Sequence, residues 1–296
     1  MKNPNDFAVT QPDELLAFLA RNRPDDGRKR LKNLLAAGRV LVDGQAVRRF
    51  DQPLAAGQSV TIVPRQAAIQ RQGLPPLPIV HEDDFLIVVN KPSGLLTVAT
   101  DKEKRRTAYA MLSGYVKEEN PGNKIFVVHR IDRETSGLLL FAKSEEVKRA
   151  IQDSWLDVIA ERLYVAVVEG KLGEAAGTIK SYLKETSAMR VYASDNPHQG
   201  KEAVTHFTRL AVSRAYSLAE LRLETGRKHQ IRVHMQELGH PVAGDKKYGA
   251  VTNPLKRLAL HARVLAFYHP ADGRLHRYET PIPPAFAAMF SASLHR

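Results

Sequence analysis

The stretch HRIDRETSGLLLFAK, residues 129–143, places one carboxylate, Asp132, between Arg130 and Arg133 just ahead of an unbroken apolar run. Leu138, Leu139, Leu140, Phe141 and Ala142 have the length and continuity of a strand buried on both faces. Asp132 is therefore expected on a turn or strand end anchored by rigid structure. Burial alone favours a protonated acid, but flanking cations favour the charged form, and an ionised carboxylate so placed suits a nucleophile or a base. Spacing alone favours a surface ion pair.

Upstream, Asp84 to Val89 has the pattern of a strand, and Asn90, Lys91, Pro92, Ser93 and Gly94 form a turn-rich loop. Pro92 and Gly94 fix a bend there, so a structural role is expected, with substrate contact by Lys91 as the alternative. Downstream, Tyr164 lies in the strand-like run Leu163 to Val168, where packing is the ordinary role of a tyrosine. The strand Tyr216 to Glu224 leads through Thr225 and Gly226 into a helix expected from Lys228 to Leu238, stopped by Gly239 and Pro241. Arg227 then falls at the helix N-terminus, where a cation is unfavourable and needs an anion such as a phosphate or Asp132. Gly244 to Gly249 (GDKKYG) is a loop with a basic tip, and Leu258 to Ala262 and Val264 to Phe267 are late strands.

His229, His234, His240 and His261 do not share the three- or four-residue helical spacing of metal ligands, and no acid stands between the first two. No metal and no cofactor is expected, since the sequence also has no Walker loop and no dinucleotide glycine fingerprint. His261 and His269 are expected in structural roles. With no cysteine, a disulfide framework and a thiolate metal site are excluded, and no apolar stretch is long enough to span a bilayer or act as a secretory signal. A net charge of +12 and a pI near 9.8 suit a protein that follows a phosphate backbone.

Composition changes along the 296 residues. Gln66 to Pro78, rich in glutamine and proline, is the expected linker between a module at 10–65 and a larger domain at 79–290. In the module, a helix beginning at Pro12 carries Asp13 and Glu14 in its first turn and an apolar face of Leu15, Leu16, Phe18 and Leu19. A second helix from Arg28 sets Arg28, Lys29, Arg30 and Lys32 against Leu31, Leu34 and Leu35, with Gly38 as its cap. The strand Arg39 to Val42, a turn at Asp43 and Gly44, and a closing strand Val60 to Val63 follow. Residues 1–75 hold 12 basic and 7 acidic side chains. Arg28, Lys29, Arg30, Lys32, Arg48 and Arg49 are the candidate phosphate contacts.

HRIDRETSGLLLFAK closely resembles the catalytic signature of RluA-type RNA pseudouridine synthases, and NKPSGL, RLYVAVVEG, TGRKHQIRVH, GDKKYG and LALHA follow that family's order. The N-terminal pattern resembles the alpha-L RNA-binding module first described in a small-subunit ribosomal protein. The resemblance implies an α+β pseudouridine synthase fold around a mixed, largely antiparallel sheet, plus a small N-terminal α/β module. It implies Asp132, Tyr164 and Arg227 as the catalytic set, with Tyr164 against the uracil ring and Arg227 paired with Asp132. It places His129, Arg130, Lys228, His229, Gln230 and Ile231 around the substrate, Arg130 filling the gap left by a flipped nucleotide.

The reaction so implied is isomerisation of uridine within RNA, with large-subunit ribosomal RNA the first expectation and transfer RNA the alternative. Asp132 has three routes: attack on the anomeric carbon, addition to the ring, or removal of a sugar proton. A non-catalytic RNA-binding ribosome-assembly factor and a base-excising hydrolase are the rival classes. A cytoplasmic monomer that binds RNA but neither DNA nor membrane completes the expectation.

Overall fold

A computed structural model describes residues 5–36, 38–63, 77–101 and 103–290. The chain divides into two units, residues 1–76 with 104–125, and residues 77–103 with 126–296. Of the expected linker, Gln66 to Pro76 lies outside the described residues.

In the first unit, strands β1 (Asp6–Ala8), β3 (Val40–Val42), β4 (Gln45–Ala46) and β6 (Ser59–Ile62) form an antiparallel sheet in the order β1-β6-β3-β4. Helix α1 (Leu15–Asn22) starts three residues later than its sequence suggests. Asp13 and Glu14 instead form a short strand, β2 (Asp13–Glu14), against β5 (Pro53–Leu54). The backbone N–H groups of Leu15 and Leu16 donate to Gln52 and Phe50 carbonyls, so sheet ladder replaces a free first turn. Helix α2 (Arg28–Ala36) packs Leu31, Leu34 and Leu35 onto Leu15, Leu19, Val40 and Val60. The turn at Asp43 and Gly44 has positive φ at both residues, as its sequence suggested.

Helix α3 (Ala108–Glu119) was not anticipated, and it groups with these elements although it lies within 79–290. Thr107 caps it by accepting the Ala110 N–H at 3.0 Å. An Arg39–Glu118 pair at 3.3 Å joins it to the end of α2 and the start of β3.

The second unit is built on one sheet. Its strands are β7 (Ile79–Glu82), β8 (Leu86–Lys91), β9 (Phe126–Val127), β10 (Ser136–Ala142), β11 (Ile159–Glu169), β12 (Ala176–Glu185), β13 (Val191–Ser194), β14 (Lys201–Val212), β15 (Tyr216–Leu223), β16 (Leu260–Tyr268) and β17 (Leu275–Glu279). Among the described residues the order is β13-β12-β14-β15-β11-β16-β10-β8-β7, with β17 on β16 and β9 on β10. Among the described residues only β10 and β16 pair in parallel. Helices α4 (Glu145–Asp153), α5 (Trp155–Val158), α6 (Gln230–Glu237) and α7 (Pro284–Ala287) complete the unit. The fold is α+β, with the mixed, mostly antiparallel sheet expected from the sequence. No described helix is long and apolar enough to cross a membrane.

The apolar run that follows Asp132 is continuous because β10 is buried throughout. Leu138, Leu140 and Ala142 pack with Leu86, Val88 and Ile151 on one side, while the intervening Leu139 and Phe141 are equally buried. Gly137 has φ 115°, and a Cβ there would lie 2.1 Å from the Ala262 carbonyl oxygen. The parallel approach of β10 to β16 therefore requires glycine at this position.

Candidate active site

Asp132 sits on the irregular segment between β9 and β10, with its side chain 29% exposed. Its neighbours' carbonyls are gripped by the NKPSG loop and the residues after it. Thr97 donates to the Ile131 oxygen at 3.0 Å, Ser93 to Glu134 at 2.6 Å, and the Gly94 N–H to Arg133 at 2.9 Å. Lys91, fully buried, extends its ammonium to the carbonyls of Pro92, Leu95 and Arg133 at 3.0, 2.6 and 3.1 Å. Desolvation pulls its pKa down to about 7. Lys91 is thus part of the scaffold, and its burial leaves it no surface for substrate.

The cation on Asp132 is Arg232. Its Nη1 donates to Asp132 Oδ2 at 2.9 Å, while Nε and Nη2 make a two-pronged pair with Asp245 at 2.6 and 2.8 Å. Asp245 is only 1% exposed, so the fork fixes the guanidinium before it reaches Asp132. Burial opposes the Arg232 charge, but Asp245 and then Asp132 outweigh it and hold the pKa above its ordinary value. The guanidinium also lies 4.9 Å from the centroid of the buried Tyr248 ring.

The expected Arg227–Asp132 pair is therefore corrected. Helix α6 begins at Gln230, two residues later than expected, because His229 takes a left-handed conformation at φ 56°. Arg227 stays outside the helix, exposed, and its Nε donates to the Glu202 carbonyl at 2.9 Å. The sequence argument chose the arginine nearest the helix start. The structure uses the one inside its first turn.

Gln230 is not a substrate contact. It is buried, accepting from Thr225 Oγ1 and the Arg227 N–H and donating to the Val204 carbonyl and Thr205 Oγ1, all within 2.8–2.9 Å. With His234, bonded to Thr205 and Ser181, it pins α6 to β12 and β14. Ile231, which the resemblance places around the substrate, is buried in the core cluster that also holds Tyr164, Val165 and Val242. Arg232, next along the helix, is left facing the carboxylate.

His129 is also structural. Its Nε2 accepts the Leu140 N–H at 3.1 Å, its ring lies 5.6 Å from that of Trp155, and burial, then Arg162, lowers its pKa to about 3. It is a neutral acceptor holding β10. His229 belongs to the site itself: its Nε2 is 3.8 Å from Asp132 Oδ2, and its Nδ1 is 2.7 Å from the Tyr248 hydroxyl. Tyr248 also accepts the Val191 N–H at 3.2 Å, which ties the His229 ring to the backbone of β13. Burial lowers the His229 pKa to about 4, so the ring is neutral at neutral pH. Lys228 is exposed and paired with Glu185. Arg130 is exposed and makes no side-chain hydrogen bond or ion pair among the described residues.

Tyr164 is half-buried on β11, beside Leu221 of β15 and Ala262 of β16. Burial pushes its phenol above the ordinary value, Arg162 opposes that shift, and the Asp132 charge adds to it. The action of the Asp132 charge on this phenol puts Tyr164 within electrostatic reach of the carboxylate. The structure thus gathers Asp132, Tyr164, His229, Arg232, Asp245 and Tyr248.

Comparison with known proteins supplies the family. The model of the RNA pseudouridylate synthase family matches residues 85–237, a span that carries Asp132, Tyr164 and Arg232. The chain is 36% identical to an uncharacterized RNA pseudouridine synthase, YlyB, of Bacillus subtilis over 92% of this chain and 91% of that protein. It belongs to the RNA pseudouridylate synthase family. This synthase is also 33% identical to ribosomal large subunit pseudouridine synthase D of Salmonella typhimurium, over 93% of its own length and 88% of the relative's. Human RNA pseudouridylate synthase domain containing 1 shares its fold with TM-score 0.56 and 27% identity, covering 73% of this chain and 87% of that one. As a member of this family it is an isomerase.

Elsewhere in the synthase, the histidines considered for metal are engaged by protein: His261 lies between Ser136 and Thr280, both at 2.8 Å, and His240 meets the Glu169 carbonyl at 2.8 Å. A group that sequence spacing did not bring to notice, His269, Asp272 and His276, brings its donor atoms within 4.8 Å of one another at the β16–β17 turn. These atoms are tied into hydrogen bonds with Asp83 (3.1 Å), the Ala271 N–H and each other. In the first unit, Arg28, Lys29 and Arg48 are exposed. Arg30 is paired with Asp26 and Arg49 with Asp51, and Lys32 lies 4.6 Å from the centroid of the Phe50 ring.

Sequence reasoning passed over Arg232, and it noted Asp245 and Tyr248 only as members of a loop resembling the family's GD and YG pairs, with a plain turn as the alternative. The signal was present in GDKKYG, because an aspartate in a loop closed by glycines is a candidate partner for a cation on a neighbouring helix.

Proposed function

We propose that this synthase converts specific uridines of large-subunit ribosomal RNA to pseudouridine, with Asp132 as the reacting carboxylate. The observation that carries the reading is the asymmetry of that carboxylate. Arg232 holds Oδ2, and Oδ1 has no partner among the described residues. One oxygen is oriented by a fixed cation while the other stays open to a reacting atom.

In the reaction the glycosidic bond from C1′ to N1 breaks, uracil turns, a bond from C1′ to C5 forms, the C5 proton leaves, and N1 takes up a proton, so that substrate and product are isomers. Attack on C1′, addition to the ring and removal of a sugar proton each use a free carboxylate oxygen at this position. Tyr164, raised by burial, remains a neutral phenol at neutral pH, fit to pack against the base and to donate a proton. Arg130, exposed and uncommitted, fills the stack vacated by the flipped nucleotide. The first unit, through Arg28, Lys29 and Arg48, holds phosphates and raises the effective concentration of RNA at the catalytic unit. The ribosomal substrate is inferred from the likeness to ribosomal large subunit pseudouridine synthase D.

The deciding experiment is Asp132→Asn assayed by tritium release from RNA labelled at uridine C5. Binding without release is expected, and retained turnover refutes the assignment. Mapping pseudouridine in ribosomal and transfer RNA from cells with and without the gene tests the substrate: a lost modification confined to transfer RNA overturns it.

A further inference from the structure

Arg162 is an energetic anomaly. It is 9% exposed on β11, two residues before Tyr164 and so on the same face of the sheet. No carboxylate lies within ion-pair distance among the described residues, although buried guanidinium groups are ordinarily neutralised. Its only hydrogen bonds run from Nη2 to the carbonyls of Glu224 at 3.0 Å and Leu223 at 3.5 Å.

Three features hold it in place. The Trp155 ring centroid lies 5.5 Å from Cζ, and Trp155 itself packs on His129 of the Asp132 segment. The two carbonyls anchor the opposite edge. A Cβ on Gly226 would lie 2.5 Å from Nη1, so a glycine at that point of the turn leaves the space the guanidinium fills. A buried cation retained without an anion, in a cradle shaped to it, is expected to act on a neighbouring group. Tyr164 is such a neighbour: the two groups shift each other's titration, Arg162 opposing the upward push of burial on the phenol.

We propose that Arg162 is a positioning residue of the isomerisation, acting through Tyr164 by holding a fixed positive charge within electrostatic reach of its hydroxyl. The inference rests on the reading of Asp132 and Tyr164 as the reacting site. Electrostatic preorganisation of this kind acts on turnover rather than on RNA affinity, since the guanidinium itself is buried.

The test is a double-mutant cycle on the full chain with Arg162→Gln, Tyr164→Phe and their combination, measured by tritium release with kcat and KM separated. Arg162→Gln is expected to lower kcat about ten- to a hundredfold, with KM changed less than about twofold and an unaltered circular dichroism spectrum. In the Tyr164→Phe background the same substitution is expected to have no further effect, whereas a merely structural role predicts losses that multiply. Arg162→Lys, which keeps the charge, is expected to recover most of the lost kcat. Trp155→Leu, which loosens the guanidinium without removing it, repeats the cycle should Arg162→Gln fold poorly. Multiplying losses, or wild-type kcat in Arg162→Gln, overturn the proposal while Asp132→Asn remains inactive. Turnover by Asp132→Asn overturns instead the reading beneath it.

Discussion

Replacing Arg232 by glutamine removes three charged hydrogen bonds at once, two to Asp245 and one to Asp132. Asp245, 1% exposed, would be left as an uncompensated buried carboxylate, a change that costs about 3–5 kcal/mol. At roughly 2–4 °C per kcal/mol for a unit of this size, the thermal midpoint should fall by about 10 °C. The catalytic loss is separate. A unit pair near 4 Å is worth about 4 kcal/mol at an effective dielectric of 20, and halving this for the partial exposure of Asp132 leaves about 2 kcal/mol, roughly thirtyfold in rate. Lost orientation of the carboxylate adds to that figure, so kcat should fall on the order of a hundredfold. Arg227→Gln, which removes an exposed contact to one carbonyl, should shift stability by less than about 0.5 kcal/mol and leave turnover within about threefold. Melting curves and single-turnover tritium release read the two quantities. Adding Asp245→Asn to Arg232→Gln should restore much of the midpoint and none of the turnover. A nearly inactive Arg227→Gln beside an active Arg232→Gln would refute the reasoning.

Gly137→Ala should destabilise the second unit by about 3–5 kcal/mol, because the added carbon meets the Ala262 backbone, and an unchanged melting point would contradict the register described. His234 and His261 are buried neutral with pKa values lowered to about 4 from 6.5. Their contribution is fully present above pH 6.5 and is lost as pH falls toward 4, by at most about 2 kcal/mol each at pH 5. A urea midpoint that holds steady from pH 7 to 5 would count against this. Neutralising Arg28, Lys29 and Arg48 together to glutamine should weaken RNA binding and flatten its salt dependence by about 2–3 units of slope, with kcat unchanged. An unaltered slope in a titration across salt concentrations would remove these residues from the interface.

The sequence made the strand after Asp132 legible because a strand covered on both faces leaves an uninterrupted apolar record, and Tyr164 was legible for its place in the next strand pattern. Arg232 was obscured by two residues of helix. A boundary at Lys228 makes Arg227 the helix-terminal cation, and nothing local announces that His229 adopts a left-handed conformation and delays the start. His129, Gln230 and Lys91 were misassigned or left open for a shared reason. A polar side chain buried to hold backbone or a neighbouring hydroxyl has the same letters as one that meets substrate, and for each of the three at least one partner is distant in sequence, 11 residues away for His129, 26 for Gln230 and 42 for Lys91. Helix α3 went unread because its buried face is a narrow line of Ala108, Leu112 and Val116, and its grouping with residues 1–76 is a matter of long-range packing.

The grip on the Asp132 segment falls on the carbonyl oxygens of Ile131, Arg133 and Glu134, supplied by Thr97, Lys91, Gly94 and Ser93. Every amino acid carries that oxygen, so the mooring is indifferent to the letters it holds. The exposed side chain of Glu134 is therefore open to replacement, whereas Arg133 also donates from Nε to the Gly94 carbonyl at 3.1 Å, so a designer or a lineage can retune one neighbour of the carboxylate without loosening the loop that holds it.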